Sequence, residues 1–171
     1  MNIVLVGYSG VGKSTVGRIL ADRLGWKFVD IKEIMEQQEG NKIPFLVQTK
    51  GQSYVDRKEG EVIAEVSCQE NVVIATSPRS LLQEKNFQCL QKNGCLIWLT
   101  AEPAIVLLRT CSSLKERAIL LKSKDALQMI RNIMKERETS YQKAEYVVDT
   151  SALPPEQVAE QILHYLRGRL T

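Results

Sequence analysis

The sequence has little of what builds metal centres, disulfide frameworks or membrane spans. Its 171 residues include one histidine and four cysteines, and no two cysteines stand in a Cys-x-x-Cys spacing. Zinc and redox sites need such clusters, so we expect reduced structural thiols and a helix-surface histidine, His164. No apolar run approaches the roughly 18 residues that span a bilayer, and the N-terminal residues lead into a motif instead of a cleavable signal. A cytoplasmic protein that does not contact membranes is expected.

Charge of one sign is not concentrated anywhere along the chain. Lysine and arginine number 23, aspartate and glutamate number 20, and the formal net charge is +3. No block of like charges marks a nucleic-acid-binding or membrane-binding tail, so no such partner is predicted. Apolar residues at 44% and charged residues at 25% are typical of folded soluble proteins. The length fits a single domain over residues 1–171.

The chain does contain a regular alternation of apolar runs and amphipathic segments. The short apolar runs predict buried strands at Ile3–Val6, Lys27–Val29, Val72–Ala75, Cys95–Leu99 and Tyr146–Val148. Helical periodicity between them predicts helices over Ser14–Leu24, Ile31–Gln38, Gln52–Val66, Leu81–Lys92, Ala104–Arg109, Lys124–Ala144 and Glu156–Leu170. This alternation is typical of an α/β protein, in which a parallel sheet carries helices on both faces and binds ligands at the carboxyl ends of its strands.

Two segments fit this pattern less well. Residues 39–51 contain Gly40, Pro44 and Gly51, which are expected to break the helical insertion between the second and third strands. Residues 111–124 are rich in serine and cations and lie between two predicted helices. Such a composition is typical of a mobile cover over a phosphate site.

A phosphate-binding loop follows the first strand directly. Gly7-Tyr8-Ser9-Gly10-Val11-Gly12-Lys13-Ser14 fits the pattern Gly-x-x-x-x-Gly-Lys-Ser/Thr and precedes the first helix. The glycines are expected to take positive φ, so that backbone N–H groups and the helix N-terminus point at phosphate oxygens. Lysine would lie over the β and γ phosphates, and the serine hydroxyl would bind Mg²⁺. The predicted ATP-binding residues of this loop are Ser9, Gly10, Val11, Gly12, Lys13, Ser14 and Thr15.

Asp30 ends the second predicted strand and therefore should lie at the edge of the sheet near the phosphate loop. There it could bind Mg²⁺ through water or accept a proton from an incoming hydroxyl. A strand-end aspartate also commonly caps the helix that follows. The residues alone leave these two interpretations open.

Several separate stretches resemble the shikimate kinase family over nearly the full chain. A Leu-Gly-x-x-Phe-x-Asp pattern and a Gly-x-x-Ile pattern come at and after the end of the first predicted helix. The fourth predicted strand is followed by an arginine in the next helix, and an Arg-x-x-x-Tyr pair lies after residues 111–124. The stretches are Leu24–Asp30, Gly40–Ile43, Ile97–Leu99 with Arg109, Arg117–Leu120, Arg137 with Tyr141, and Val148–Thr150. The resemblance implies a P-loop fold like that of nucleoside monophosphate kinases, with five parallel strands in the order 2-3-1-4-5. It also implies transfer of the ATP γ-phosphate to a hydroxyl of shikimate.

The same resemblance implies roles for individual residues. Lys13, Asp30 and Arg117 would be catalytic, with Arg117 on a lid over about residues 111–124 and in contact with the γ-phosphate. Arg109 would pack on the adenine. Ser14, and Asp30 through water, would hold Mg²⁺ as the cofactor of ATP. An acceptor-binding insertion over about residues 31–66 and a monomeric state are further expectations.

The acceptor half departs from the family pattern where that pattern is most specific. Lys32 replaces the second aspartate of Asp-x-Asp, and an ammonium group donates hydrogen bonds but accepts none. Asp56 stands where the family has an arginine that binds the acceptor's carboxylate, which inverts the charge. The family's three glycines after the third strand become Ser77-Pro78-Arg79, where Pro78 removes a backbone N–H and Arg79 adds a long cationic side chain.

Three hypotheses follow from this combination. In the first, the protein is a shikimate kinase in which Arg57, Arg79 and Arg137 rebuild the carboxylate-binding site from new positions, with Asp30 and Lys32 also contacting the acceptor. In the second, a kinase of the same fold acts on a different small hydroxy acid. In the third, the chain binds nucleotide but transfers no phosphate. The retained Lys13, Ser14, Asp30 and Arg117 count against the third, because a protein that only binds nucleotide does not need a lid arginine.

Overall fold

The computed structural model describes residues 1–110 and 124–169. Its strands are β1 Asn2–Val6, β2 Lys27–Asp30, β3 Val72–Ala75, β4 Gly94–Thr100 and β5 Tyr146–Asp149. They form one sheet in the order β2-β3-β1-β4-β5, and every neighbouring pair is parallel. Both the α/β prediction and the predicted strand order are confirmed.

Helices connect successive strands. They are α1 Lys13–Leu24, α2 Ile31–Glu39, α3 Ile43–Lys50, α4 Gln52–Ser67, α5 Glu84–Asn93, α6 Pro103–Thr110, α7 Lys124–Tyr141 and α8 Pro155–Leu166, with a short 3-10 turn at Ser80–Leu82. Among the helices of the two described ranges, none has the length and apolarity needed to cross a bilayer.

The sheet separates two hydrophobic cores. The strand β1 is completely buried, and its side chains alternate between the two sides. Ile3 and Leu5 pack into the core that contains apolar residues of α1, α6 and α8. Val4 and Val6 pack into the core that contains residues of α2, α4 and α5. The result is a three-layer arrangement in which the central strand, directly before the phosphate loop, is held on both faces.

Residues 39–51 are more regular than the sequence predicted. The helical insertion is interrupted at Gly40 and Gly51, where φ is 67° and 88°, but α3 lies between them. Pro44 is compatible with this helix because it lies in the first turn, where a backbone N–H has no intrahelical partner. Sequence reasoning treated the proline as a breaker and so missed the helix.

The single helix predicted over Leu81–Lys92 was wrong at its start. A 3-10 turn at Ser80–Leu82 is followed by Gln83 in an extended conformation, with φ −101° and ψ 120°. Only then does α5 begin, at Glu84. Ser80 is completely buried, so its position is set by tertiary contacts that the helical periodicity does not contain.

We expect Gly17→Ala to destabilise the protein. In an ordinary helix this change would stabilise by about 1 kcal/mol, because glycine is a poor helix former. A Cβ at Gly17, however, would overlap the edge of the Phe28 ring on β2. Overpacking typically costs about 1–3 kcal/mol, so after the gain in helix propensity the free energy of unfolding in urea should fall by up to about 2 kcal/mol.

Gly60→Ala in α4 is the matched control. Its Cβ would lie 3.2 Å from Asn86 Oδ1, a tight contact but not an overlap. This contact should offset part of the gain in helix propensity, so the free energy of unfolding of this variant should stay within about 1 kcal/mol of the wild type and should not fall as in Gly17→Ala. A Gly17→Ala variant as stable as Gly60→Ala would show that the Phe28 ring moves aside without cost.

Candidate functional site

The phosphate loop joins the end of β1 to the start of α1. Gly7, Gly10 and Gly12 have φ of 142°, 79° and 100°, which confirms the predicted positive φ values. A Cβ at Gly7 would also collide with the backbone carbonyl of Leu99 on β4. The loop therefore needs glycine there both for its backbone conformation and for its close approach to the sheet.

Lys13 lies folded over this loop. Its Nζ donates to the backbone carbonyl oxygens of Gly7 and Tyr8, both at 2.8 Å, and the residue is 8% exposed. The pKa of Lys13 is lowered to about 7, chiefly by burial; the carboxylate of Asp30 acts in the opposite direction, and nearby Arg137 adds to the lowering. A bound phosphate would favour the charged ammonium form, because opposite charges at short range stabilise each other.

Asp30 uses its two carboxylate oxygens for different contacts. Oδ1 accepts from the backbone N–H groups of Lys32 and Glu33 at 3.0 and 3.3 Å, so Asp30 caps α2. Oδ2 accepts from Ser14 Oγ at 2.6 Å, which connects β2 to the phosphate loop. The capping interpretation is thus correct, and it leaves one oxygen facing the phosphate site.

Ser14 and Asp30 together offer hard oxygen ligands of the type that Mg²⁺ prefers. In residues 1–110 and 124–169, no cluster of three or more histidine, cysteine, aspartate or glutamate residues could hold a metal ion. These two oxygens therefore fit an ion that takes its remaining ligands from phosphates and water, as Mg²⁺ usually does beside nucleotides.

Thr150 organises the other end of the phosphate loop. Its Oγ1 lies 2.9 Å from the Val11 carbonyl and 3.1 Å from the Thr100 carbonyl, and it accepts from Arg109 Nη1 at 2.9 Å. Arg109 Nη2 also donates to the Thr150 carbonyl at 2.6 Å. Both residues line a cavity of about 370 Å³ together with Gly10, Gly12 and Thr15 of the loop. Arg109 is thereby fixed beside the phosphate loop.

Thr150→Val is expected to raise the KM for ATP about five- to tenfold, because it removes a hydroxyl that orients Arg109 and holds the Val11 carbonyl. Valine keeps the shape of the side chain in this buried position. Thr150→Ser retains the hydroxyl and should stay within about twofold of the wild type. Equal KM values for both variants, measured from ADP release, would contradict an orienting role.

A second cavity, of about 310 Å³, opens on the other side of the phosphate loop. Tyr8 and Ser9 of the loop line it, and α2, α3, α4, α7 and the segment after β3 form the remaining walls. We refer to it as the acceptor cavity. Lys32, Arg79 and Arg137 line it, so three of the predicted acceptor-side residues lie together.

The segment Ser77-Pro78-Arg79 is tied down on all sides. Ser80 Oγ donates to Glu59 Oε1 at 2.7 Å and accepts from the Ser77 backbone N–H at 3.0 Å. Burial raises the pKa of Glu59. The Pro78 carbonyl accepts from Tyr141 Oη at 2.7 Å and from Arg137 Nη1 at 3.4 Å. Proline removes one backbone donor here, but its carbonyl anchors the Arg-x-x-x-Tyr pair of α7.

The charge inversion expected at Asp56 is compensated in the structure. Arg79 points to Asp56 and forms a two-point contact with its carboxylate, at 3.1 and 3.3 Å. The sequence shows a displaced anion and a displaced cation, but it does not show that they pair. The two residues are 23 positions apart and lie on different elements, so no local pattern could reveal the contact.

One predicted residue, Arg57, does not join this group, and another, Arg117, lies outside the described residues. Arg57 lies outside the acceptor cavity, in a separate groove with Ser53 and Lys85, where its guanidinium packs 5.4 Å from the centre of the Tyr54 ring. Its neighbour Asp56 takes the inward-facing position on α4, so Arg57, one position further along the helix, does not line the cavity. Arg117 and the lid predicted over 111–124 fall on residues outside the described ranges, except for the start of α7.

Sequence reasoning missed the part played by Tyr8. It occupies a variable position of the phosphate-loop pattern, so the motif gave no signal. In the structure, its ring lies 5.5 Å from the Arg137 guanidinium, and its carbonyl accepts from Lys13. Tyr8 therefore contacts both Lys13 of the phosphate loop and an arginine of the acceptor cavity.

Comparisons with known proteins agree with this geometry over nearly the whole chain. The family model for shikimate kinase matches residues 9–167. A shikimate kinase of Pelotomaculum thermopropionicum is 36% identical over 166 residues, which cover 97% of this chain and 95% of that one. The structure of shikimate kinase from Acinetobacter baumannii in complex with shikimate superposes with a TM-score of 0.87 and 31% identity, covering 98% and 93% of the two chains. The crystal structure of shikimate kinase from Aquifex aeolicus gives 0.82 and 35%, covering 99% and 98%.

Proposed function

The chain belongs to the shikimate kinase family of phosphotransferases, and we propose that it transfers the ATP γ-phosphate to a hydroxyl of shikimate, giving ADP and shikimate 3-phosphate. The observation that supports shikimate is the pair of guanidinium groups, Arg79 and Arg137, on the wall of the acceptor cavity. Arginine binds carboxylates through paired hydrogen bonds, and shikimate carries one carboxylate. This reaction belongs to aromatic amino acid biosynthesis.

On the ATP side, the backbone N–H groups of residues 9–15 bind the phosphates, and the ammonium group of Lys13 lies over the β and γ phosphates. Arg109, held by Thr150, borders the adenine. Ser14, and Asp30 through water, would hold Mg²⁺, which would supply positive charge beside the phosphates when bound.

On the acceptor side, Asp30 accepts the proton of the attacking hydroxyl at Oδ2, the oxygen not committed to capping α2. The hydroxyl oxygen forms a bond to the γ phosphorus while the bond to the β–γ bridging oxygen breaks, and ADP leaves. Lys32 donates to a second hydroxyl of shikimate, the reverse of the polarity that an aspartate would give.

The proposal includes a monomeric cytoplasmic enzyme with a single domain over residues 1–171. Residues 31–66 bind the acceptor, and residues 111–124, with Arg117, act as a lid over ATP. The full-length match to shikimate kinases favours shikimate over another hydroxy acid and over nucleotide binding without transfer.

Measurement of ADP release by the purified full-length chain tests the proposal. With Mg²⁺-ATP, release should depend on shikimate and should be lost in Lys13→Ala. Quinate and gluconate, two other hydroxy acids with one carboxylate, should support little release. Release with one of these acids but not with shikimate would contradict the assigned acceptor, and acceptor-independent nucleotide binding alone would contradict catalysis.

A further inference from the structure

Asp56 is held in place from two sides in the wall of the acceptor cavity. Arg79 contacts it through Nε and Nη2, and Gln52 Nε2 donates to Oδ1 at 2.7 Å. The Asp56 side chain is 21% exposed and the Arg79 side chain is 39% exposed. The ion pair is therefore fixed at its carboxylate end and more accessible at its guanidinium end.

The guanidinium of Arg79 retains donors for a ligand. Arginine has five N–H groups in a rigid planar fork, and two nitrogens, Nε and Nη2, face Asp56. The hydrogens on Nη1 and the second hydrogen on Nη2 point away from that contact. Because the contacts of Nε and Nη2 with Asp56 already orient the planar guanidinium, Arg79 has little rotamer freedom left to lose when a carboxylate binds.

A second guanidinium is oriented independently on the same cavity. Arg137 donates to the Pro78 carbonyl and lies over the Tyr8 ring. Pro78 immediately precedes Arg79, so both arginines are anchored around one short segment. The backbone of that segment is itself fixed, since the Arg79 N–H donates to Ser77 Oγ at 3.2 Å.

Asp56 acts on an anionic acceptor in two opposite ways. Its negative charge repels the acceptor's carboxylate, and on this account removal of the Asp56 charge would strengthen acceptor binding. Its contact with Arg79 orients a cation, and on this account removal of the same charge would weaken acceptor binding. The repulsion is weakened because the charge is paired with Arg79 and lies in a partly exposed site where solvent screens it. Solvent does not screen the orientation of the Arg79 guanidinium in this way, so we expect this orientation to affect acceptor binding more than the repulsion does.

We infer that Asp56 is a positioning residue for the acceptor: it orients Arg79 toward the acceptor's carboxylate, so that removing this negative charge weakens the binding of a negatively charged ligand. The inference rests on the proposed function, because it takes shikimate as the ligand. Asp56 itself is not expected to form an attractive contact with the shikimate carboxylate, because both groups are negatively charged.

A double-mutant cycle of Asp56→Asn and Arg79→Ala, made in the full-length chain, tests the inference. The KM for shikimate and kcat would be measured at saturating Mg²⁺-ATP, and shikimate binding by calorimetry. Asp56→Asn alone should raise KM about tenfold with kcat within about threefold of the wild type, and Arg79→Ala should raise KM further. In the Arg79→Ala background, Asp56→Asn should leave KM unchanged or lower it, because only the repulsion is left to remove.

Glu61→Gln removes the same charge from the same helix outside the cavity and serves as the control. Glu61 is paired with Lys58 at 2.9 Å, and the KM of this variant should stay within about twofold of the wild type. A KM that falls or does not change in Asp56→Asn, or that rises equally with and without Arg79, would overturn the inference while the proposed function stands. Absence of shikimate-dependent ADP release in the wild type would instead overturn the proposed function and the inference together.

Discussion

Lys13→Ala is expected to lower kcat/KM for ATP and shikimate by about 10²–10³-fold, the loss typical of removing one donor that stabilises a developing anion. The physical reason is the position of the ammonium group, which is buried over the phosphate loop and within reach of the Gly7 and Tyr8 carbonyls. Charge that gathers on the γ-phosphate and on the bridging oxygen during transfer would lose its nearest cation. Initial rates of ADP release, measured with one substrate varied below its KM and the other near saturation, give this change in kcat/KM.

Lys92→Ala is the control for that substitution. Lys92 is exposed in the last turn of α5, at the edge of the sheet where the strands begin, opposite the phosphate loop. The Lys92→Ala substitution removes the same charge without changing the phosphate loop, and kcat/KM should stay within about twofold of the wild type. If Lys13→Ala kept most of the activity while still folding, Lys13 could not be the residue that contacts the γ-phosphate.

Asp30→Asn is expected to lower kcat about 10²-fold, with the fold intact, as loss of a general base typically does. Asparagine is as good a helix cap as aspartate, so the hydrogen bonds to the Lys32 and Glu33 backbone should survive. The carboxylate oxygen that faces Ser14 is replaced by the oxygen or the nitrogen of an uncharged amide. This group does not accept a proton as a general base, and it lacks the negative charge that favours Mg²⁺. Rates of ADP release and thermal unfolding would be compared on the same samples.

Asp22→Asn provides the comparison for Asp30→Asn. Asp22 is exposed near the end of α1 and shares no contact with the phosphate loop. Its replacement should leave kcat unaltered. A kcat for Asp30→Asn within about threefold of the wild type would exclude the proton-accepting role, and a lowered melting temperature would show that the cap had been lost as well.

The sheet and the phosphate loop could be predicted because their signals are local. The inner strands β1 and β3 are short apolar runs buried on both faces, and such strands need no finer pattern. Lys13 and Ser14 stand beside the glycines that shape their loop. The strand order came from the resemblance, since the periodicity of a strand does not reveal its neighbours.

The acceptor cavity could be predicted only in part, because its contacts join distant positions. Lys32, Arg79 and Arg137 were identified one by one. The contact between Arg79 and Asp56 spans 23 positions, and the contact between Tyr141 and Pro78 spans 63. In the sequence, Asp56 and Arg79 are two separate departures from the family pattern, whereas in the structure they form one ion pair.

Pro78, in the segment after β3, changes the step at which the conformational entropy of this wall of the acceptor cavity is lost. A run of glycines samples many backbone conformations, and a ligand that needs one of them must bear that cost on binding. Pro78 has a fixed φ, and its carbonyl is bonded to Tyr141 and Arg137 before any acceptor arrives. The ordering therefore accompanies folding of the chain, and the acceptor meets a wall whose shape is already set.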